Sequence, residues 1–235
     1  EELQNISTHG LSYDYVLTAN VDCSNTTNWN GGGGFSPIGN ASAQYSGHFD
    51  GSDKIIKNLF LNRSTGYLGL FGYVNDGNIT DLTLSGFRVL FSGSPVQAYQ
   101  GALVGRHENG VVNTITSQNI TVKGSGVQNI GGVFGLIDLD SASSVFISNC
   151  TVVGGIERTG GIAGEISGSV IAEKFAIQDC FVDGGSSSEV GGIIGYVSAT
   201  LNNSIAINTI VEGWNDIGIA RSEERRVGKE CATGC

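Results

Sequence analysis

The sequence predicts an all-β protein, and within that class a right-handed, parallel β-helix-like solenoid built from repeats of about thirty residues. Three observations lead to this prediction. The composition favours short strands joined by tight turns, a glycine-bounded apolar box recurs along the chain, and an alternating strand pattern keeps step with that box.

The composition of the 235 residues disfavours a helical domain. Glycine supplies 37 residues, charged residues make up 14%, and there are two prolines and no methionine. Helical domains carry many Leu, Ala, Glu and Lys residues and few glycines. The formal charge of −10 argues against nucleic acid and anionic membrane surfaces as partners. No apolar run approaches the roughly 18 residues that span a bilayer, so we expect no membrane span in this chain.

The apolar box recurs about every thirty residues and reads GLFG, ALVG, GVFG, GIAG and GIIG. Its glycines are Gly69, Gly72, Gly105, Gly132, Gly135, Gly161, Gly164, Gly192 and Gly195. Because glycine has no side chain, we expect the backbones of neighbouring strands to approach each other closely at these boxes.

A strand motif accompanies the boxes and reads NLFLN, DLTLSG, NITVKG, NCTVVG, DCFVDG and NTIVEG. Its alternation of apolar and polar residues is typical of a strand with one buried face, closed by a turn. The motifs begin at Asn58, Asp81, Asn119, Asn149, Asp179 and Asn208. We expect these first residues to form one polar column at a corner of the coils, bonded to backbone, in preference to a metal or catalytic site.

No repeat can bury its apolar face alone, so the repeats must stack with their parallel strands in register. The segment 87–101 is longer than its counterparts, which predicts a loop insertion. The chain divides into an N-terminal β region or cap at 1–57, repeats at 58–220 and a tail at 221–235.

The tail does not continue the repeat. A sixth box begins at Gly218, Ile219 and Ala220, but Arg221 interrupts it. Residues 221–231, RSEERRVGKEC, resemble the translation of a common sequencing-library adapter, so we interpret the tail as non-native and the sixth box as truncated. The chain also begins without an initiator methionine or a signal peptide, so we expect it to be a fragment of a longer protein.

The boxes and strand motifs resemble the GLUG-motif repeats, which are named for a Gly-Leu/Val-x-Gly box and occur in large secreted and cell-surface proteins. Upstream, YVLTANVDCS, FSPIG, FDGSDKIIKNLFL and GYLGLFGYV are similar to the stretch that leads into such repeats. The resemblance implies a β-solenoid-like scaffold of adhesin-type proteins and, in some members, an accessory region of bacterial surface peptidases.

Sequons of the form Asn-x-Ser/Thr are about twice as frequent as this composition would produce by chance. The candidate N-glycosylation sites are Asn5, Asn25, Asn40, Asn62, Asn78, Asn119 and Asn202. An eighth sequon at Asn149 is set aside, because we expect that residue to face inward. The excess of sequons, the low charge and the cysteines together predict a glycoprotein that is extracellular or exposed at the cell surface.

Cys150 and Cys180 occupy the same position of consecutive repeats, where other repeats place Leu82, Ile120 and Thr209. We expect this column to point inward, and two interpretations stay open. The cysteines are buried free thiols that pack like small apolar residues, or they form a disulfide, since adjacent parallel strands bring Cα atoms within the range of about 4.4–6.8 Å that a bridge tolerates.

The sequence predicts no catalytic, cofactor-binding or metal-ligating residue. His9, His48 and His107 lack metal-ligand spacing, and no Ser or Cys nucleophile signature surrounds them. Some aromatic residues could stack on sugars, although scattered aromatics more often pack in cores and turns. These aromatic residues are Tyr67, Tyr73, Tyr99, Trp29 and Trp214.

These patterns predict a non-catalytic extracellular segment of a larger surface protein, with a structural or adhesive role and with surface glycans or proteins as partners. The alternative is part of a secreted enzyme, either a polysaccharide-cleaving β-helix or an accessory region of a surface peptidase. That alternative needs clustered carboxylates or a metal on one face of the solenoid.

Overall fold

The computed structural model describes residues 2–64, 66–93 and 96–213, and the sixth box, Trp214 and the predicted tail lie outside this part. The described residues begin with the helix α1 (Glu2–His9) and include a run of 3-10 turns at Ser24–Gly32. The first strands are β1 (Tyr15–Val16), β2 (Val21–Asp22), β3 (His48–Lys57), β4 (Phe60–Arg63), β5 (Tyr67–Leu68), β6 (Phe71–Asn75), β7 (Asn78–Ser85), β8 (Arg88–Phe91), β9 (Val96–Gln100), β10 (Val104–Glu108) and β11 (Val111–Gly124). The later strands are β12 (Val127–Gly131), β13 (Phe134–Asp138), β14 (Ser141–Gly154), β15 (Arg158–Gly160), β16 (Ala163–Ile166), β17 (Ile171–Gln178), β18 (Phe181–Asp183), β19 (Glu189–Gly191), β20 (Ile194–Val197), β21 (Thr200–Asn202), β22 (Ile205–Ile207) and β23 (Ile210–Glu212).

The predicted β-solenoid is confirmed: the described strands form three stacked parallel sheets that wind through about six turns. Sheet 1 has thirteen strands and follows the main order β1-β3-β7-β11-β14-β17-β21. Sheet 2 has the order β20-β16-β13-β10-β6, and sheet 3 the order β19-β15-β12-β9-β5. Each of the later turns therefore runs through a strand of sheet 3, a box, a strand of sheet 2 and the strands of sheet 1.

Residues that pair between neighbouring turns lie about thirty positions apart, so like residues form columns along the solenoid. In sheet 1, Val89 pairs with Val122, Val122 with Val152, and Val152 with Val182. All four valines are fully buried, and the column continues with Leu61 before Val89 and with Val211 after Val182. The repeat length read from the sequence is thus the length of one turn, and stacking supplies the burial that no single turn achieves.

The strand motif that begins at Asp81 belongs to a different column from the one predicted. Leu82 pairs with Ile115, so Asp81 corresponds to Thr114 and not to Asn119. From β3 onward, each turn of sheet 1 has two positions with left-handed backbone, five residues apart: φ is 54° at Asp81 and 68° at Gly86. Similar short motifs surround both positions, so the sequence pattern placed Asp81 in the same column as Asn119. The residue that corresponds to Asn119 in this turn is Gly86.

The polar column at the second of these positions is exposed, not inward. Asn149 donates its amide to Asn119 Oδ1 at 2.6 Å, and Asn208 donates to Asp179 Oδ1 at 3.1 Å. These bonds join side chains of consecutive turns, whereas bonds to backbone were expected. Asn149 itself is exposed, so burial gives no reason to set its sequon aside. Asn and Asp suit this position because they adopt left-handed backbone more readily than other residues with a side chain.

Two differences concern the lead-in and the predicted insertion. Most of the segment 87–101 consists of strand and not loop, since β8 pairs with β4 and β11, and β9 pairs with β5 and β12. Near the N-terminus, α1 is a helix in a region predicted as β. It buries Leu3 and Ile6, three residues apart, in the same apolar core as the strands.

Cys150 and Cys180 are buried and lie on neighbouring turns, as the column predicts. The structure joins them as a disulfide, with Cα atoms 4.5 Å apart and a sequence separation of 30. Cys23 is buried and free. Burial raises the pKa of the Cys23 thiol to about 11, so this cysteine stays protonated and behaves as a small apolar residue.

We expect Gly135→Ala to destabilise the solenoid by about 3 kcal/mol, because a Cβ at this box position would lie against the carbonyl oxygen of Gly105 and the backbone of Gln100. Gly33→Ala is the matched control, since its Cβ would meet only ordinary or slightly tight contacts. Urea unfolding followed by circular dichroism measures both. Equal midpoints for the two variants would contradict the close approach at the box.

We expect reduction of the bridge to lower the free energy of unfolding by about 3 kcal/mol, because the bridge closes a loop of 30 residues. Denaturant unfolding with and without dithiothreitol measures the change. A variant with Cys150→Ala and Cys180→Ala should not respond to the reductant. Alkylation of both cysteines in the unfolded, unreduced protein would show free thiols and contradict the bridge.

Candidate functional site

The long charged and aromatic side chains of sheets 2 and 3 lie in two adjacent columns, which we call the tyrosine–arginine stripe. The column of sheet 3 consists of Tyr67, Tyr99, Asn129, Arg158 and Glu189. The column of sheet 2 consists of Tyr73, Arg106, Leu136, Glu165 and Tyr196. Successive members of a column come from successive turns, so the stripe runs along the solenoid axis.

Box glycines bring the two columns together. The last glycine of each box, as at Gly135, Gly164 and Gly195, lies directly against the backbone of a sheet 3 strand in the preceding turn. No side chain fits between the two sheets at these points. Residues on either side of the box therefore face each other at contact distance, although five or more positions separate them in sequence.

The first cluster of the stripe centres on Arg106. The Tyr67 and Tyr99 rings stack with centroids 5.6 Å apart, and the Arg106 guanidinium lies 5.3 Å from the Tyr73 ring and 5.4 Å from the Tyr99 ring. Arg106 also pairs with Glu108 through two nitrogens, and the Tyr73 hydroxyl donates to the other oxygen of Glu108. One guanidinium and one carboxylate balance each other in this cluster, which three rings surround.

These contacts determine the protonation states of the first cluster. Burial, together with the hydrogen bond to Glu108, raises the pKa of Tyr73 to about 12. Burial alone would raise the pKa of Glu108, but the bonds from Tyr73 and Arg106 outweigh it and hold that pKa below its ordinary value. Near neutral pH the phenol stays protonated and the carboxylate stays charged, so neither group is poised to transfer a proton.

The second cluster, two turns further along, centres on Arg158. Its Nη1 lies 2.7 Å from Glu165 Oε2 and 3.8 Å from Glu157 Oε2, and its Nε lies 2.9 Å from Glu189 Oε2. The guanidinium also lies 4.6 Å from the Tyr196 ring centroid. Burial by itself would lower the pKa of Arg158, but the carboxylates outweigh it and raise that pKa.

Two amide side chains complete the second cluster. Asn129 donates to Glu165 Oε2 at 2.6 Å, and Gln128 donates to Glu157 Oε2 at 2.9 Å. Within the part of the chain that the structure describes, Asn129 Oδ1 and Gln128 Oε1 are both buried and have no hydrogen-bond donor. The cluster therefore holds more acceptors than donors.

The three histidines do not form a metal site, and no group of three potential His, Cys, Asp or Glu ligands occurs among residues 2–64, 66–93 and 96–213. His107 is fully buried and contacts the Gly77 carbonyl oxygen through Nε2 at 2.9 Å. Burial lowers the pKa of His107 to about 4, so it is neutral near pH 7. His48 contacts Thr80, and His9 contacts the backbone of its own helix.

Sequence reasoning named only part of the stripe. It singled out Tyr67, Tyr73 and Tyr99, and the structure brings these three together, whereas Trp29 packs separately against the core. It missed both arginines and their carboxylates. A signal was present: in most turns a long polar or aromatic residue stands immediately after the box, and another stands three residues before it. Without a structure nothing indicates that these two positions face each other.

The candidate glycosylation sites are distributed over the surface and do not converge on the stripe. Asn5, Asn25, Asn40, Asn119 and Asn202 are exposed, while Asn62 and Asn78 are half-buried. Asn78 Oδ1 also accepts a bond from the Val111 amide at 2.9 Å. Burial leaves the five exposed asparagines accessible and restricts the other two.

No family model matches this chain. It is 31% identical over 176 residues to "Halomucin" of Haloquadratum walsbyi, an alignment that covers 72% of this chain and 2% of that protein. It is 33% identical over 109 residues to a "Putative Gly-rich membrane protein" of Evansella cellulosilytica, covering 46% of this chain and 12% of that protein. The chain thus spans a small fraction of either relative.

One crystal structure has a similar fold. It is that of a "putative immunoglobulin A1 protease" from Bacteroides ovatus, with a TM-score of 0.64 over 97% of this chain and 79% of that one. The sequence identity is 19%, so the similarity concerns the fold alone. None of the helices described for this chain is long and apolar enough to cross a membrane.

We expect Tyr73→Phe to lower the free energy of unfolding at pH 7 by about 1 kcal/mol, because it removes the donor to Glu108 and keeps the ring. A carboxylate with a lowered pKa stabilises the fold above its unfolded pKa and loses that contribution as the pH falls. The difference between wild type and variant should therefore shrink on acidification.

Urea unfolding at several pH values between 7 and 3 measures this difference. Tyr13→Phe is the control, since Tyr13 is 62% exposed and should show no change at any pH. A Tyr73→Phe deficit that stays constant as the solution is acidified would exclude the proposed contact with Glu108.

Proposed function

We propose that this chain is a non-catalytic structural and adhesive segment of a larger protein that is secreted or exposed at the cell surface. The observation that carries the proposal is that the arginines of the stripe are paired with carboxylates. The guanidinium of Arg106 and that of Arg158 both bind carboxylates of the same chain. Every carboxylate of the two clusters contacts one of these arginines, whereas a hydrolase needs an acid and a base that are free to exchange protons with a substrate.

The solenoid itself suits an adhesive role. Adjacent turns lie about 4.8 Å apart, so each turn adds one row of side chains to the same continuous surface. Partners that are long or repetitive, such as surface glycans or other proteins, match this geometry. The names of the two relatives, a halomucin and a membrane protein, support a location at the cell surface.

The same proposal includes the type of repeat and the N-glycosylation sites. We take the boxes and strand motifs as GLUG-type repeats of an adhesin-like protein, supported by the close backbone approach at the box glycines. We also take the exposed sequons, such as Asn25 and Asn40, as N-glycosylation sites. Their exposure supports that assignment, and intact-mass measurement of the chain from its natural source tests it.

A second candidate function is an accessory region of a surface peptidase. The observation that favours it is the shared fold with the "putative immunoglobulin A1 protease" from Bacteroides ovatus. In that case a neighbouring domain would carry the activity, and the solenoid would hold the substrate or the catalytic domain. The chain alone would again be inactive, so the two candidates differ in whether a peptidase domain is present in the intact protein.

We expect the purified chain to release no product from immunoglobulin A1 or from a panel of acidic polysaccharides, and to bind members of a glycan and protein array. Electrophoresis and reducing-sugar assays measure turnover, and heat-unfolded chain is the control for binding. Turnover that Glu165→Gln abolishes would overturn the non-catalytic role. Absence of array binding by the folded chain would overturn the adhesive role.

A further inference from the structure

The second cluster of the stripe lacks positive charge. Glu157, Glu165 and Glu189 surround a single guanidinium, that of Arg158, so three negative charges face one positive charge. The first cluster has no such imbalance, because Arg106 faces only Glu108. Two neighbouring parts of one stripe, on the same scaffold, therefore differ in whether their charges are balanced.

The same cluster also lacks hydrogen-bond donors. Asn129 and Gln128 direct their amide nitrogens to carboxylates, which leaves both amide oxygens buried without a donor among the described residues. Asn129 is fully buried, and its amide points toward Glu165 at the centre of the cluster. A buried amide oxygen without a partner is destabilising, so the hydrogen-bonding capacity of this cluster is not met by the described residues.

The cluster is open to a partner on one side. The side chain of Glu157 is 45% exposed and that of Glu189 is 38% exposed, whereas Glu165 is 12% exposed. Tyr196 is 37% exposed beside them. Two carboxylates and an aromatic ring thus reach solvent, while Glu165 is largely covered.

We infer that this cluster binds an Arg or Lys side chain from a basic segment of a partner protein. A guanidinium or ammonium group supplies both missing quantities, a positive charge and several N–H donors. A neutral sugar would supply donors but would leave the charge unbalanced. The inference names the partner class for the adhesive role and thus rests on the proposed function.

A fluorescein-labelled peptide of alternating Arg and Gly residues, acetylated and amidated at its ends, is the probe. Fluorescence anisotropy with the full chain should show binding that weakens as salt rises, because the contact is between opposite charges. The double variant Glu157→Gln and Glu189→Gln should lose at least about tenfold in affinity, which corresponds to removing one strong charged contact.

The matched control is the double variant Glu173→Gln and Glu212→Gln. It changes the net charge equally but lies on sheet 1, away from the stripe. Removing these two charges weakens only the long-range attraction between the acidic protein and the basic peptide. We therefore expect the affinity of this control for the peptide to fall by less than about twofold. Thermal unfolding by circular dichroism confirms that both variants are folded, and the side-chain amide signal of Asn129 in NMR should shift on peptide binding.

Equal losses in the two double variants would show general attraction to an acidic protein and overturn the site. Absence of peptide binding by the wild-type chain would overturn it as well, and so would salt-independent binding of a neutral glycan in its place. These failures leave the non-catalytic scaffold standing. Substrate turnover, in contrast, would reject the proposed function even if the peptide bound.

Discussion

The constant length of one turn is the constraint on which the rest of the structure depends. Parallel strands pair in register only if each turn returns to the same point, and here that return takes about thirty residues. When every turn has the same length, equivalent positions of successive turns stack into a column. Such a column is stable only if similar residues can pack directly against one another. Valine in the core, asparagine at an exposed corner and glycine at the box all meet this condition.

The same constraint produces the functional surface. Close approach at the box glycines places two columns side by side, and each turn then adds one residue to either column. The side chains of the stripe differ from turn to turn while the pairing of the strands beneath them continues. The described turns show two results of such variation, a balanced cluster around Arg106 and an acidic cluster around Arg158. In both clusters the carboxylates contact an arginine, which suits a binding surface better than a catalytic site.

The similar proteins support the solenoid fold and its place within longer chains. The fold recurs in a protein of 19% sequence identity, so this architecture does not depend on one particular sequence. The relatives are far longer than this chain, so a segment of this kind is one part of a larger protein in those cases. The function of such a segment follows from the surface it presents and from the domains it joins.

The sequence by itself determined the class, the length of one turn, the close approach at the boxes and the shared column of Cys150 and Cys180. Each of these depends on a period, and a period is visible in one dimension. It did not determine the register of the Asp81 motif, because two left-handed corners in one turn have similar local sequences. It also missed the stripe, since Arg158 meets Glu165 and Glu189 only after the box has folded two sheets together. The repeat length determines which residues share a column. The distance between two columns depends instead on the path of the backbone within one turn, which only the tertiary structure shows.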